Sequence, residues 1–297
     1  MKKLAFILFA VIALINSTKS LAQRDFSKVE VESTELRNGL YMFTGAGGNI
    51  AVSTGDDGVL IVDDQFAEMT VKIDAAIAKL SDQSVRYVLN THWHFDHTGG
   101  NQNYNDKGAI IVAHDNTHQR MSIDQVIEAF DLEVPASPRA ALPDITFNDS
   151  ATIHFNELTV ELLHIPNAHT DTDTFVNFKE ANVIHAGDVY VSNSYLFIDA
   201  SSGGTLAGVI NAIEQLVALS DDETIIIPGH GELSDKAGVQ KTLAMVKRLK
   251  SKAEQAIANK MSQEAFLASE PTAEFDDDFG NRGGSFAATV FKQLSEQ

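Results

Sequence analysis

His92-Trp93-His94-Phe95-Asp96-His97 places three imidazoles and one carboxylate within six residues. The apolar stretch Val85 to Leu89 before it reads as a strand, and Thr98-Gly99-Gly100-Asn101 follows it. A loop leaving a strand end can turn all four side chains inward. Imidazole nitrogen and carboxylate oxygen are ligands that Zn²⁺ accepts at ~2.0–2.2 Å. A lone histidine is more often a structural residue, but four ligand-type side chains at this spacing point to a metal site.

Three more ligand-type residues occur downstream: His169 in Pro166-Asn167-Ala168-His169-Thr170, Asp188 in His185-Ala186-Gly187-Asp188, and His230 in Ile227-Pro228-Gly229-His230-Gly231. Each follows or ends an apolar run. Upstream, Gly48-Asn49-Ile50-Ala51-Val52 and Gly58-Val59-Leu60-Ile61-Val62-Asp63 have the pattern of a hairpin. Together these pieces resemble the metallo-β-lactamase superfamily over about residues 30 to 250. The resemblance implies an α/β fold, a four-layer αβ/βα sandwich with the ligands at the edge between its two sheets. It also implies two Zn²⁺ per chain. His92, His94 and His169 would hold one zinc, Asp96, His97 and His230 the other, and Asp188 would bridge them. Water held between two zincs loses a proton near neutral pH and attacks a carbonyl carbon. Asp96 would be both a ligand and the residue that orients the attacking oxygen.

The resemblance is less specific for substrate, because one fold hosts many chemistries. The chain departs from all three β-lactamase subclasses. The first has Cys at the position of Asp188 and Lys at that of Val191, the second has Asn at that of His92, and the third has Ser at that of Asp188. A bridging Asp is the pattern of the glyoxalase II and lactonase branches. The expectation is a zinc-dependent hydrolase of a small-molecule amide, ester or lactone, with β-lactamase-type activity included. A thioester hydrolase of glyoxalase II type and a non-catalytic metal-binding module stay open. Nucleases of this superfamily add a second domain or a basic arm, which this chain lacks, so nucleic acid is not expected as a partner.

The first 22 residues read separately. Lys2 and Lys3, the apolar run Leu4 to Ile15 and the small-x-small site Ser20-Leu21-Ala22 form a secretory signal peptide. The run is too short to span ~30 Å of bilayer comfortably. The expectation is therefore a periplasmic or secreted protein, without stable membrane insertion after cleavage. Residues 23–297 would form one hydrolase domain with a helical tail from about 265. There is no cysteine, so no disulfide and no thiolate ligand is available. Asp and Glu number 41 against 22 Lys and Arg, a net charge of −19. Such a field disfavours phosphate backbones and anionic membrane surfaces.

Periodicity places further elements. Strand-like runs cover 30–37, 40–44, 49–53, 59–63, 109–113, 144–147, 151–155, 158–165, 174–178, 182–186 and 224–227. Helices fit 66–80, 115–130, 205–219, 234–260 and 285–295, and the prolines of 131–143 make that stretch a loop. Three substrate contacts are expected from loop placement: Phe43 beside a glycine-rich flap (41–48), Tyr190 just after Asp188, and Tyr195. Asp63 is expected to support a loop and His185 the metal site, while His154 and His164 read as strand residues.

Overall fold

Val59 and Ile61 point to one side of their strand and Leu60 and Val62 to the other, following the two-residue period of a pleated strand, and all four are fully buried. A strand buried on both faces needs a layer on each side. In the computed structural model, which describes residues 25–296, that requirement generates a sandwich. The expected leader, residues 1–22, lies outside the described residues.

The first sheet is built from β1 (Glu32–Glu35), β2 (Leu40–Thr44), β3 (Ile50–Gly55), β4 (Gly58–Val62), β5 (Val85–Leu89) and β6 (Ile110–His114). A small hairpin, β7 (Gln125–Ile127) and β8 (Leu132–Val134), precedes its last strand, β9 (Ile145–Phe147). The sheet order is β1-β2-β3-β4-β5-β6-β9, antiparallel as far as β4 and parallel thereafter. The second sheet runs β10 (Ser150–Phe155), β11 (Leu158–His164), β12 (Thr174–Phe178), β13 (Val183–His185) and β14 (Ile225–Ile227), and only its last pair is parallel.

Parallel neighbours require crossovers, and helices supply them. α1 (Thr70–Ile77) links β4 to β5, whereas α2 (Phe95–Thr98) and α3 (Asn101–Asn105) lie between β5 and β6. α4 (Asp115–Met121) follows β6, and α5 (Leu206–Leu219) links β13 to β14. The chain ends in α6 (Lys236–Ala258), α7 (Gln263–Ala268), α8 (Asp276–Phe279) and α9 (Gly283–Ser295). Ile73, Ile77 and Tyr104 cover the outer face of the first sheet against Val59 and Ile61. Leu60, Val62 and Leu89 meet Leu158, Val160 and Val183 between the sheets. Val209, Ile213, Val246, Leu249 and Val290 cover the second sheet at Phe175, Ile184 and Ile226. The order is therefore helices, sheet, sheet, helices, the α/β sandwich read from the sequence.

Several boundaries differ from the periodicity reading. The 66–80 helix shortens to α1 behind a 3₁₀ turn at Ala67–Met69, with Ile73, Ala76 and Ile77 on its buried face. The 115–130 helix stops at Met121, because Ile127 turns into a buried cluster with Trp93, Met121 and Leu142, and the chain there pairs as the β7–β8 hairpin. Part of the 131–143 loop is therefore strand. The Asp276 to Asp278 run opens α8, where Asp278 pairs with Lys241 at 2.6 Å. Among the described residues no helix is long and apolar enough to cross a membrane.

His114 and His164, at the ends of β6 and β11, stack face to face with ring centres 3.6 Å apart and planes 7° apart. Partial burial lowers the pKa of both, and for His164 the neighbouring His114 adds to the effect. Nearby Asp115, Asp149 and Asp171 oppose the shift without cancelling it. The folded state thus keeps these rings neutral where the unfolded chain protonates them, near pH 6.5. Their contribution to stability is present above that pH and is lost as pH falls through the lower folded values. In urea unfolding, His164→Gln should lose less stability than wild type between pH 7.5 and pH 5. Equal losses would remove the stacked pair as an acid-sensitive element.

Candidate metal centre

The ligand-type side chains come from loops at one edge of the sandwich, several of them at the carboxyl ends of parallel strands. His92 and His94 lie on the loop after β5, and Asp96 and His97 on the single turn of α2. His169 lies between β11 and β12, Asp188 on the 3₁₀ turn after β13, and His230 just after β14. Their donor atoms form two groups, His92, His94, His169 and Asp188 in one and Asp96, His97 and His230 in the other, with atoms within 4.8 Å of one another in each.

The distances show that Asp188 faces both groups. Its Oδ1 is 3.2 Å from His97 Nε2 and 3.4 Å from His230 Nε2, and its Oδ2 is 3.8 Å from His169 Nε2. Asp96 Oδ2 lies 3.4 Å from His230 Nε2. Within the first group, His169 Nε2 is 3.0 Å from His94 Nδ1.

The opposite edge of most of these rings is tied down, as metal-binding imidazoles require. His97 Nδ1 meets Asp63 Oδ2 at 2.7 Å, and His94 Nε2 meets Asp199 Oδ2 at 3.0 Å. His169 Nδ1 lies 2.8 Å from the carbonyl of Phe197, and His92 Nδ1 3.0 Å from Thr91 Oγ1. Asp63 also accepts from Thr91 N and Oγ1, each at 2.7 Å, so a single carboxylate fixes both the loop and the ring of His97.

The donor set suits a metal ion. Buried polar atoms are normally paired, yet His92 Nε2 and Asp188 Oδ1 make no hydrogen bond although both face the centre. Five imidazoles and two carboxylates converge. Burial and the neighbouring His97 hold His92 well below the usual histidine range, and burial with His94 pushes His169 down to about 4. Both rings are then neutral, the form that ligates metals. Burial also opposes charge on His97, but Asp188, Asp63 and Asp96 outweigh it and raise its pKa well above normal. Asp188 carries the counterpart: burial raises it, and His230 and His97 overcome that and hold it well below the carboxylate range. Facing such carboxylates, a cation is what the centre is built to hold.

The three expected substrate contacts lie elsewhere. Phe43 is fully buried against the first sheet's outer core. The turn beside it is held rather than free, since Gly48 N donates to the Asp96 carbonyl at 3.0 Å and Gln65 Nε2 to the Gly48 carbonyl at 2.7 Å. Tyr190 is buried, with its hydroxyl 2.7 Å from Ser234 Oγ. The Tyr195 hydroxyl donates to Asp276 Oδ1 and to the Thr272 carbonyl, joining the helical tail to the body. Large aromatic side chains in these stretches were needed by the core. His185 supports the centre indirectly, accepting from Gly187 N at 3.2 Å beside Asp188.

Asp199 is the functional position that motif reading passes over. It caps the 3₁₀ turn Ala200–Ser202 and lies 105 residues from the histidine it orients, so no local pattern marks it. Burial raises its pKa, but hydrogen bonds from His94, Ser201 and Ser202 more than offset this and keep it ionised. Asp199→Ala should weaken metal binding about 10- to 100-fold, measured by competition with a chromogenic chelator. Unchanged affinity would remove Asp199 from the support of the centre.

Known proteins resemble this chain in fold or in sequence. The Metallo-beta-lactamase from Pontibacter korlensis aligns with a TM-score of 0.61 at 18% identity, over 73% of this chain and 99% of that one. A Probable hydroxyacylglutathione hydrolase of Schizosaccharomyces pombe is 23% identical over 69% of this chain and 72% of its own length. A Metallo-beta-lactamase type 2 of Bacillus cereus is 22% identical over 78% of this chain and 85% of its own. The family model of the Metallo-beta-lactamase superfamily matches residues 43–230, a stretch that contains every donor named above. With more than half of its length matched in this way, the chain belongs to the metallo-β-lactamase superfamily.

Proposed function

We propose that the protein is an exported hydrolase that holds two zinc ions, one in each donor group, and opens an amide, ester or lactone carbonyl of a small molecule. The observation that carries this reading is the position of Asp188, one carboxylate facing both groups. Zinc bound there supplies Lewis acidity, which polarises a carbonyl and makes water acidic enough to lose a proton near neutral pH. The chain's own residues do the rest. Asp63 and Asp199 fix the rings of His97 and His94, so little reorganisation accompanies the reaction. The Asp96 side chain is 23% exposed against 13% for Asp188, so its carboxylate is the more open to solvent and would orient the attacking water.

Export is supported by the leader pattern of residues 1–22. The net charge of −19 speaks against a nucleic-acid substrate. Thioester hydrolysis is the second reading, and the likeness to a hydroxyacylglutathione hydrolase favours it.

The test is metal content and turnover of the purified chain, zinc-loaded and zinc-stripped, on a chromogenic cephalosporin, an acyl-homoserine lactone, a glutathione thioester and a phosphodiester. Two zincs per chain with chelator-sensitive cleavage of the lactam or lactone is the expected result. Preference for the thioester would select the second reading. Two bound zincs without turnover of any carbonyl substrate would favour a metal-binding module.

A further inference from the structure

We propose that the β7–β8 hairpin is a wall of the substrate groove that takes a neutral apolar group next to the scissile carbonyl, with Phe130 as its specificity-determining residue. The carbonyl in this statement rests on the hydrolase reading above; the apolar contact does not.

Large apolar side chains on a soluble surface are informative when they cluster. Ile123, Val126 and Phe130 lie within eight residues and are 60, 50 and 60% exposed. Phe130 connects to the metal centre through one intervening aromatic ring. Its ring centre is 4.9 Å from that of Phe197, which in turn lies 5.6 Å from the ring of His169 and stacks on that of His94 at 6.3 Å. An aromatic path thus leads from solvent to two metal-facing imidazoles.

The hairpin is also held in place. Ile127 is buried beneath it with Trp93, Met121 and Leu142. At its base Arg120 grips Asp171 through Nε and Nη2, both at 2.6 Å, and Asp171 sits two residues from His169. Gln125 exchanges hydrogen bonds with Arg120, accepting from its Nη1 and donating to its carbonyl. Near the tip, Glu128 N donates to Ser201 Oγ at 3.2 Å, and Ser201 donates to Asp199, the carboxylate that orients His94. A surface loop whose only task was to connect α4 to β9 would not need anchoring both to the loop that carries His169 and to the turn whose Asp199 orients His94. Glu128, Asp131 and Glu133 flank Phe130 in sequence and are all exposed, and their charge disfavours an anionic group there. The occupant selected is therefore an alkyl or aryl group without charge.

Trp93 is the chain's only tryptophan and lies in the cluster under the hairpin, so its emission reports binding without turnover. The zinc-loaded protein would be titrated with acetohydroxamate and with octanohydroxamate, which present the same metal-binding head and differ only in the alkyl chain. Wild type is expected to bind the octanoyl compound at least about tenfold more tightly. Phe130→Ala should reduce that preference about tenfold while leaving acetohydroxamate affinity within twofold, and a control, Leu219→Ala on the far side of α5, should leave it intact. With ester substrates, kcat/KM for octanoyl over acetyl should fall in the same variant. No chain-length preference in wild type, or an undiminished one in Phe130→Ala, would overturn the inference even if every ester were hydrolysed. A preference lost on mutation in a protein that hydrolyses nothing would uphold the wall and refute the hydrolase reading.

Discussion

Asp188→Ala is expected to lower kcat/KM by on the order of 10³ while leaving the circular dichroism spectrum unchanged, a loss of several kcal/mol typical of removing metal-based charge stabilisation. Among the described residues its carboxylate is the only one within 4 Å of histidines from both donor groups, so its loss leaves His97 and His230 Nε2, 3.3 Å apart, with Asp96 as their remaining carboxylate and no anion linking them to His169. Replacing this anion by a methyl group should cost the second ion before the first, because the carboxylate lies closer to His97 and His230, at 3.2 and 3.4 Å, than to His169, at 3.8 Å. Metal analysis after dialysis should then give about one zinc per chain in place of two. Two tightly held zincs and near-normal turnover in the variant would end the bridging role.

Gly229→Ala should be nearly as damaging, although it adds one methyl group and removes no ligand. A Cβ at this position would lie 1.9 Å from Asp188 Oδ1 and 2.6 Å from the Gly187 carbonyl carbon. The backbone has little room to retreat, since Gly229 N is hydrogen-bonded to the Gly187 carbonyl at 2.8 Å and to that of Tyr190 at 3.0 Å. The carboxylate must therefore rotate away from the centre. Overpacking of this kind costs about 1–3 kcal/mol of stability, and the displaced carboxylate should lower kcat/KM by about 10² or more. Because both changes reach catalysis through the same carboxylate, kcat/KM of the double variant Gly229→Ala/Asp188→Ala should be little below that of Asp188→Ala alone, while the contact with the Gly187 backbone still costs stability. Fully additive losses in the double-mutant cycle would mean that Gly229 acts by another route.

The architecture was legible because strands such as Gly58–Val62 and amphipathic stretches such as 205–219 carry their burial pattern in their own residues. Those donors packed into six consecutive residues were equally plain. Residues whose roles depend on distant partners left weaker marks. Asp63 was read as loop support, but its hold on His97 appears only when the strands are assembled. The orienting role of Asp199 leaves no local signature at all. Aromatic residues misled for a physical reason: Phe43, Tyr190 and Tyr195 sit in sequence beside the loops of the centre, yet their rings fill the core or fasten the helical tail. Phe130, whose ring packs on the Phe197 that covers His94 and His169, falls in a stretch whose periodicity suggests the end of a helix.

The two donor groups draw on both halves of the sandwich, with residues 92 to 97 coming from the first sheet and His169, Asp188 and His230 from loops of the second. An ion seated among them is a crosslink between distant parts of a chain that has no cysteine with which to make one. Such a crosslink is governed by mass action: each hundredfold excess of free metal over its dissociation constant stabilises the folded state by about 2.7 kcal/mol, and a chelator withdraws that support. The folded lifetime of the protein would then follow the metal supply of its surroundings, and scarcity would hand the empty chain to proteases with no dedicated sensor involved.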